Sequence, residues 1–297
     1  NRFCCLTYSP EMDFYAAFYY IPPMQCWMLL GGKNPLEANS WKRLCDLPKQ
    51  ESPFLFFDQR PRWFGRYLCF GDRQSATILT MNPQGVERVQ RFPLPKAQHP
   101  CRFACDGLGR ILLAHGEETY CFENGSLSPL GFHILSGDGF NGSIPVPETG
   151  RLVMCGFSDR EVVARLLELD IDTRRCRAIR MQNVDPWSNL LPFGDDWVLI
   201  KGTCDSMRLD FARLWNRTTG EVLRIRPGMF GSEKLEHIGR LSDGCVVLTT
   251  LRSHEGQVVH FPADFWNFLR SASRPQTLEP MQPCEALYPD IPLTQPE

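Results

Sequence analysis

Residues 211–226, FARLWNRTTGEVLRIR, read as two short strands joined by a turn. Apolar residues alternate with polar ones on both sides of Asn216-Arg217-Thr218-Thr219-Gly220, a run of types that bond their own backbone or tolerate positive φ. The pattern recurs. ATILTMNPQGVERVQRF turns at Asn82, TYCFENGSLSPLGF at Asn124, ARLLELDIDTRRCRAIR at Asp170, and VVHFPADFWNFL near Pro262. These turns are 42, 46, 46 and 46 residues apart. An interval of this size is that of one four-stranded propeller blade. The expected fold is therefore all-β: a six-bladed β-propeller of four-stranded antiparallel blades over residues 1–270.

Around each hairpin the other two strands are legible. The first strands are expected in SPFLFFDQ (52–59), HPCRFACD, GSIPVPE, SNLLPFG and EHIGRLSD. The second strands, GRYLCFGD, GRILLAHG, GRLVMCGF, DWVLIKGT and GCVVLTTL, are the most apolar, as strands buried on both faces should be. Near the N-terminus, AFYYIPPMQCWMLL supplies an earlier hairpin that turns after Ile21. It precedes Asn82 by 61 residues, so residues 31–52 are expected to be an insertion between blades, with a short strand at 41–44. The tail, 271–297, carries six prolines. Two fates are open to it: an extended linker, or a return through 285–289 as the strand that closes the ring and covers two sheet edges.

Composition bounds the function classes. The 43% hydrophobic content supports a sizeable core, and a net charge of −2 by itself argues neither for nor against a nucleic-acid partner. The basic residues are 26 Arg and only 6 Lys. Thirteen cysteines, an odd number without repeat spacing, lie mostly in apolar runs and favour a reducing cytoplasmic or nuclear setting. No apolar run approaches a membrane span. His99-x-Cys101-x3-Cys105 lacks a second ligand pair, and there is no phosphate loop or nucleophile elbow. No cofactor, metal or catalytic residue is expected.

Eight to ten residues before each hairpin turn, in the connection between second and third strands, stand Arg73, His115, Arg160, Arg208 and Arg252. In a propeller the equivalent loops of all blades open at one mouth of the channel. Gathered guanidinium groups bind carboxylate or phosphate through charge-assisted, bidentate hydrogen bonds. The expectation is a partner-binding rim for an acidic or phosphorylated protein, with a nucleic-acid backbone less favoured. Trp187 and Phe140, in the loops that enter blades, are the candidate aromatic anchors. The competing reading is a set of solvated loops in which Asp72, Glu117, Asp159, Asp205 and Glu255 neutralise their basic neighbours.

The first hairpin with its Gly31-Gly32, the following SWKRLCDLP, and TILTMNPQGVERVQRFPLP resemble degenerate kelch-type repeats, in particular the F-box-associated propellers of plant proteins. Paired glycines do not recur in the later repeats. The resemblance implies the substrate-recognition propeller of an F-box-type ubiquitin ligase subunit, joined to the ligase adaptor through a region absent from this chain. Two readings from other classes stand beside it. One is a propeller hydrolase or lyase with a site in its channel, and the other a bacterial effector or immunity propeller.

Overall fold

A computed structural model describes residues 2–9, 11–21, 26–34, 37–46, 61–98, 100–132, 143–158, 161–180, 189–193, 196–201, 213–225, 234–240, 246–252, 255–261, 278–281, 285–286 and 291–292. The described residues form six antiparallel sheets. The first contains β1 (Arg2–Ser9), β2 (Phe14–Ile21), β3 (Cys26–Gly32) and β4 (Lys42–Asp46). The second contains β5 (Arg62–Phe64), β6 (Tyr67–Gly71), β7 (Ser75–Asn82) and β8 (Gly85–Pro93). The third is β9 (Arg102–Cys105), β10 (Ile111–His115), β11 (Glu118–Glu123) and β12 (Ser126–Pro129). The fourth has β13 (Ile144–Val146), β14 (Arg151–Ser158), β15 (Glu161–Asp170) and β16 (Arg175–Arg180). The fifth has β17 (Asn189–Phe193), β18 (Trp197–Lys201), β19 (Arg213–Asn216) and β20 (Val222–Ile225). The sixth shows β21 (Lys234–Arg240), β22 (Val246–Arg252) and β23 (Glu255–Phe261). The hairpin expected near Pro262 lies outside the described residues beyond β23, as do residues 52–59. The strand that pairs with β6 as the first of the second sheet is β5, at Arg62–Phe64, and not the expected 52–59.

Sequence order is spatial order within every one of these sheets, the pattern of an up-and-down meander. Burial grades across the second and third. In the second sheet β7 is buried at all six of its interior positions, whereas every position of β8 is half-buried or exposed. β14 and β18 run apolar because both faces are covered: Leu152, Val153, Met154 and Cys155, then Val198, Leu199 and Ile200, are all buried.

The chain divides into two compact units, Asn1–Phe103 with Leu113–Leu130 and Ala104–Leu112 with Gly131–Glu297. In the first, Ala16 and Leu29 of the first sheet pack with Leu68, Phe70, Leu79 and Met81 of the second. Phe122 of the third sheet meets Tyr67 and Phe92 of the second edge-on, at centroid distances of 5.6 and 5.9 Å. In the second unit, Val153, Cys155 and Leu166 of the fourth sheet pack with Leu190, Val198, Ile200, Trp215 and Val222 of the fifth. Fully burying one such aliphatic side chain is worth about 1.5–3 kcal/mol.

Two features correct the sequence reading. Residues 33–52 begin with the connection to the fourth strand of the first sheet rather than an insertion between blades. After the 3₁₀ turn Ala38–Ser40, β4 pairs with β3, Leu29 opposite Cys45 and Met28 opposite Asp46. The hairpin after Ile21 thus joins the second and third strands. The true third-to-fourth connection, 33–41, precedes Asn82 by 41 to 49 residues, so the interval is regular. Gly31 and Gly32 are needed here: a Cβ on Gly32 would meet the Ser40 backbone, with the carbonyl oxygen at 2.6 Å.

The tail is the second. β24 (Leu278–Met281) pairs with β20, Glu279 opposite Arg224. β25 (Glu285–Ala286) and β26 (Ile291–Pro292) pair with β16, Glu285 opposite Arg180 and Pro292 opposite Arg175. The tail therefore extends the fifth and fourth sheets, while the first sheet draws its four strands from residues 2–46. Proline suits these places because an edge strand leaves one side of its backbone free of ladder bonds.

Candidate functional site

The connections between second and third strands are where basic residues were expected to gather. In the second sheet this connection is Asp72-Arg73-Gln74, and its backbone is held from both sides. Asp72 Oδ1 accepts the N–H groups of Gln74 and Ser75, both at 2.7 Å, and the Asp72 N–H donates to Ser75 O at 2.9 Å. This is a turn in which a carboxylate replaces a backbone partner. The chain leaving β8 then docks on it. Leu94 N–H donates to Gln74 O at 2.7 Å, Ala97 N–H to Arg73 O at 3.0 Å, and Cys101 N–H to Asp72 O at 3.0 Å. Arg73 is exposed, and it projects from a turn that six backbone and Asx hydrogen bonds immobilise.

The same segment, 94–97, also meets the equivalent connection of the third sheet. His115 ends β10 at the turn Gly116-Glu117, and its Nε2 lies 2.5 Å from the carbonyl oxygen of Pro95. His115 is only 4% exposed. It was expected to face a partner; instead its ring fastens the segment between the two sheets to the turn beneath. Gly116, at φ +60, completes the tight turn. Sequence reading missed Lys96, which is exposed on this segment two residues before Gln98. Its position in a linker rather than in the repeat's hairpin hid it from a search by repeat alignment.

Arg252 is the last residue of β22, paired with Glu255 across its connection. The strands that flank Arg160, Ser158 at one end and Glu161 at the other, place it between second and third strands, and Arg160 itself lies outside the described residues, as do Arg208, Trp187 and Phe140. Of the neighbouring acids, Asp72 is committed to its turn.

The cysteines of the candidate ligand run are poor metal donors as they stand. Burial and the nearby Asp106 carboxylate push the Cys105 thiol up to about 12, and burial with Asp72 raises that of Cys101. Metal binding requires the thiolate. His99 lies outside the described residues. No helix among the described residues is long and apolar enough to cross a membrane.

At the opposite ends of the strands, the turns between first and second strands are joined by structural contacts. Ser9 Oγ donates to Gly65 O at 3.4 Å between first and second sheets. Gly107 N–H donates to Arg151 O at 3.1 Å, and Glu148 N–H to Gly107 O at 3.2 Å, between third and fourth. Arg110 bridges Asp106, at 2.6 Å, and Asp172, at 2.7 Å.

No family model matches the chain, and no curated protein does. Solved structures do. The β-propeller domain of the Trilobed protease from Pyrococcus furiosus is 12% identical, with a TM-score of 0.51 over 87% of this chain and 78% of that one. Prolyl oligopeptidase B from Galerina marginata is 9% identical, with a TM-score of 0.47 over 96% of this chain and 42% of its own. Hsv2p of Kluyveromyces lactis is 12% identical, with a TM-score of 0.42 over 88% of this chain and 76% of its own. The first likeness, together with sequential antiparallel four-stranded sheets, establishes the architecture: the chain has a β-propeller fold.

Proposed function

We propose that this propeller is a protein-interaction module that recognises an acidic or phosphorylated segment of a partner at the connections between second and third strands. The observation that supports this reading is Arg73, exposed on a turn pinned by Asp72 and by 94–97, with exposed Lys96 on the docking segment itself. A fixed backbone lowers the entropy lost when a side chain engages a ligand, which is the ordinary advantage of preorganisation. Arg160, Arg208 and Arg252 belong to the same reading at their own repeats, and Trp187 and Phe140 would supply apolar contacts. His115 serves as a fastener.

The kelch-type, F-box-associated resemblance makes a ligase substrate receptor the specific form of this proposal, with its adaptor bound through another region. The test is affinity capture of the full-length protein from its own cells, as wild type and with Arg73→Glu/Lys96→Glu, read by mass spectrometry. Recovery of adaptor and cullin subunits with both chains, and of a phosphatase-sensitive partner with the wild type alone, is the expected result. A partner retained equally by the charge-reversed chain would overturn the site. Absence of adaptor and cullin subunits would overturn the ligase form of the reading.

A further inference from the structure

The second sheet ends on β8, nine residues long. Among the described residues no strand pairs with β8 on the side away from β7. The corresponding strands of the fourth and fifth sheets, β16 and β20, are covered there by β25, β26 and β24. Near the middle of β8 stands Val89, 46% exposed, one of two large hydrophobic side chains exposed among the described residues. An edge of this length with no further strand on it among the described residues is a template for another strand.

The sequence of β8 says which strand fits. Set antiparallel to itself about Val89, Glu87-Arg88-Val89-Gln90-Arg91 brings no like charges opposite one another. Val89 faces Val89 of the second copy, Glu87 faces Arg91 and Arg91 faces Glu87, and Arg88 faces Gln90. Neighbouring registers lose this match. Centring on Arg88 sets Arg88 against itself, and a half-step towards Gln90 sets Arg88 against Arg91 twice. Like charges directly opposite one another disfavour a strand pair, and unlike charges favour it.

Local geometry presents these groups. Glu87, Arg88, Val89 and Arg91 are all exposed. β8 is itself the bulged strand: Met81 pairs with Val86 and Thr80 with Arg88, so Glu87 is the extra residue and has none opposite it in the second sheet. The charge of Glu87 is felt by Arg66 across the hairpin, and that of Arg91 by Cys45. Both are surface interactions that a second copy can supplement.

We propose that β8 is a homodimerisation edge, two copies pairing antiparallel about a twofold axis at Val89 with reciprocal Glu87–Arg91 ion pairs. The interface is isologous, so it closes at two copies and does not propagate. A strand of this length spans about 30 Å, which places the contact among small interfaces of micromolar strength.

The test is sedimentation velocity of the 297-residue chain up to about 100 µM, above the dissociation constants usual for such contacts. A concentration-dependent dimer is expected. Glu87→Arg and Arg91→Glu should each weaken it by about tenfold or more, since each brings like charges together twice across the axis. The combined E87R/R91E chain recreates the pairs in reversed order and should dimerise within about threefold of the wild type. That rescue separates a lost contact from a misfolded strand. A wild-type chain that is monomeric throughout, a dimer indifferent to the single reversals, or a combined variant as monomeric as the singles would each overturn the proposal.

Discussion

Arg110 and Asp172 are joined by an Nη1–Oδ1 contact of 2.7 Å, tying the first turn of the third sheet to the turn between β15 and β16. The guanidinium is held on its other side by Asp106, whose side chain is fully buried and also accepts the N–H groups of Leu108 and Arg110. Burial opposes the charge on Arg110, but the hydrogen bonds it donates to Asp172 and Asp106 outweigh it, and its pKa is raised. The two carboxylates are unequal: Asp172 is 52% exposed and Asp106 not at all.

Replacing Arg110 with Met strands the Asp106 charge in the interior, and breaking a buried pair in this way costs about 3 kcal/mol or more. Asp172→Asn removes only an exposed partner and should cost less than about 1 kcal/mol. Urea unfolding of the two variants checks the order. Equal losses would mean that Asp106 draws enough from its backbone donors to do without the cation.

The fourth sheet carries an ion ladder with a pH signature. Arg151 Nε donates to Asp170 at 3.0 Å and its Nη1 to Glu168 at 3.3 Å, while Arg177 Nη2 reaches Glu168 at 2.6 Å. Burial acts to raise the Asp170 pKa, but the Thr173 backbone and hydroxyl and Arg151 outweigh it, and the pKa is lowered. A carboxylate with a folded pKa below its unfolded one stabilises above about pH 4 and loses that contribution as pH falls through the folded value. Asp170→Asn should therefore unfold at lower urea than wild type at pH 7, by less than about 1 kcal/mol for so accessible a ladder. The gap should close once both forms are measured near pH 2.5. A gap of the same size in acid would show that shape rather than ionisation is responsible.

Cys101 and Cys105 should resist alkylation. Thiolate is the reactive form, and burial keeps both thiols protonated, with Asp72 and Asp106 adding to the effect. Cys101 Sγ also lies 3.4 Å from Ser75 O as a donor. Iodoacetamide at pH 8, followed by peptide mass spectrometry, should leave both unmodified in the folded chain and label both in urea. Rapid labelling of either in the folded chain would contradict the packing around β9.

Much of the fold is legible because strand periodicity and turn chemistry are local. The hairpins at Asn82, Asn124 and Asn216 close as expected, with Asn82 Oδ1 accepting the N–H groups of Gln84 and Gly85, and Asn216 Oδ1 those of Thr218 and Thr219. Trp215, in the strand that enters the Asn216 turn, is 3% exposed and packs among residues of the fourth and fifth sheets. The first repeat was misread for a nonlocal reason. Its two hairpins look alike in alternation, and only the pairing of β4 with β3 across the long connection 33–41 shows which is which.

The candidate site divides in the same way. Repeat position alone puts Arg73, His115 and Arg252 at the ends of second strands or just after them. Whether such a residue faces solvent or the interior depends on chain that arrives from elsewhere. The segment leaving β8 binds the turn of Arg73 by its backbone and leaves the side chain out, yet offers the Pro95 carbonyl to His115 and takes its side chain in. The sequence by itself determined most of the strands and the turns at Asn82, Asn124 and Asn216, because alternation and turn-forming residues act within a few residues. Tertiary structure alone decided which edges the tail covers, which basic groups stay exposed and which buried acids need a cation. Those outcomes depend on desolvation and on hydrogen-bond partners that distant segments bring together.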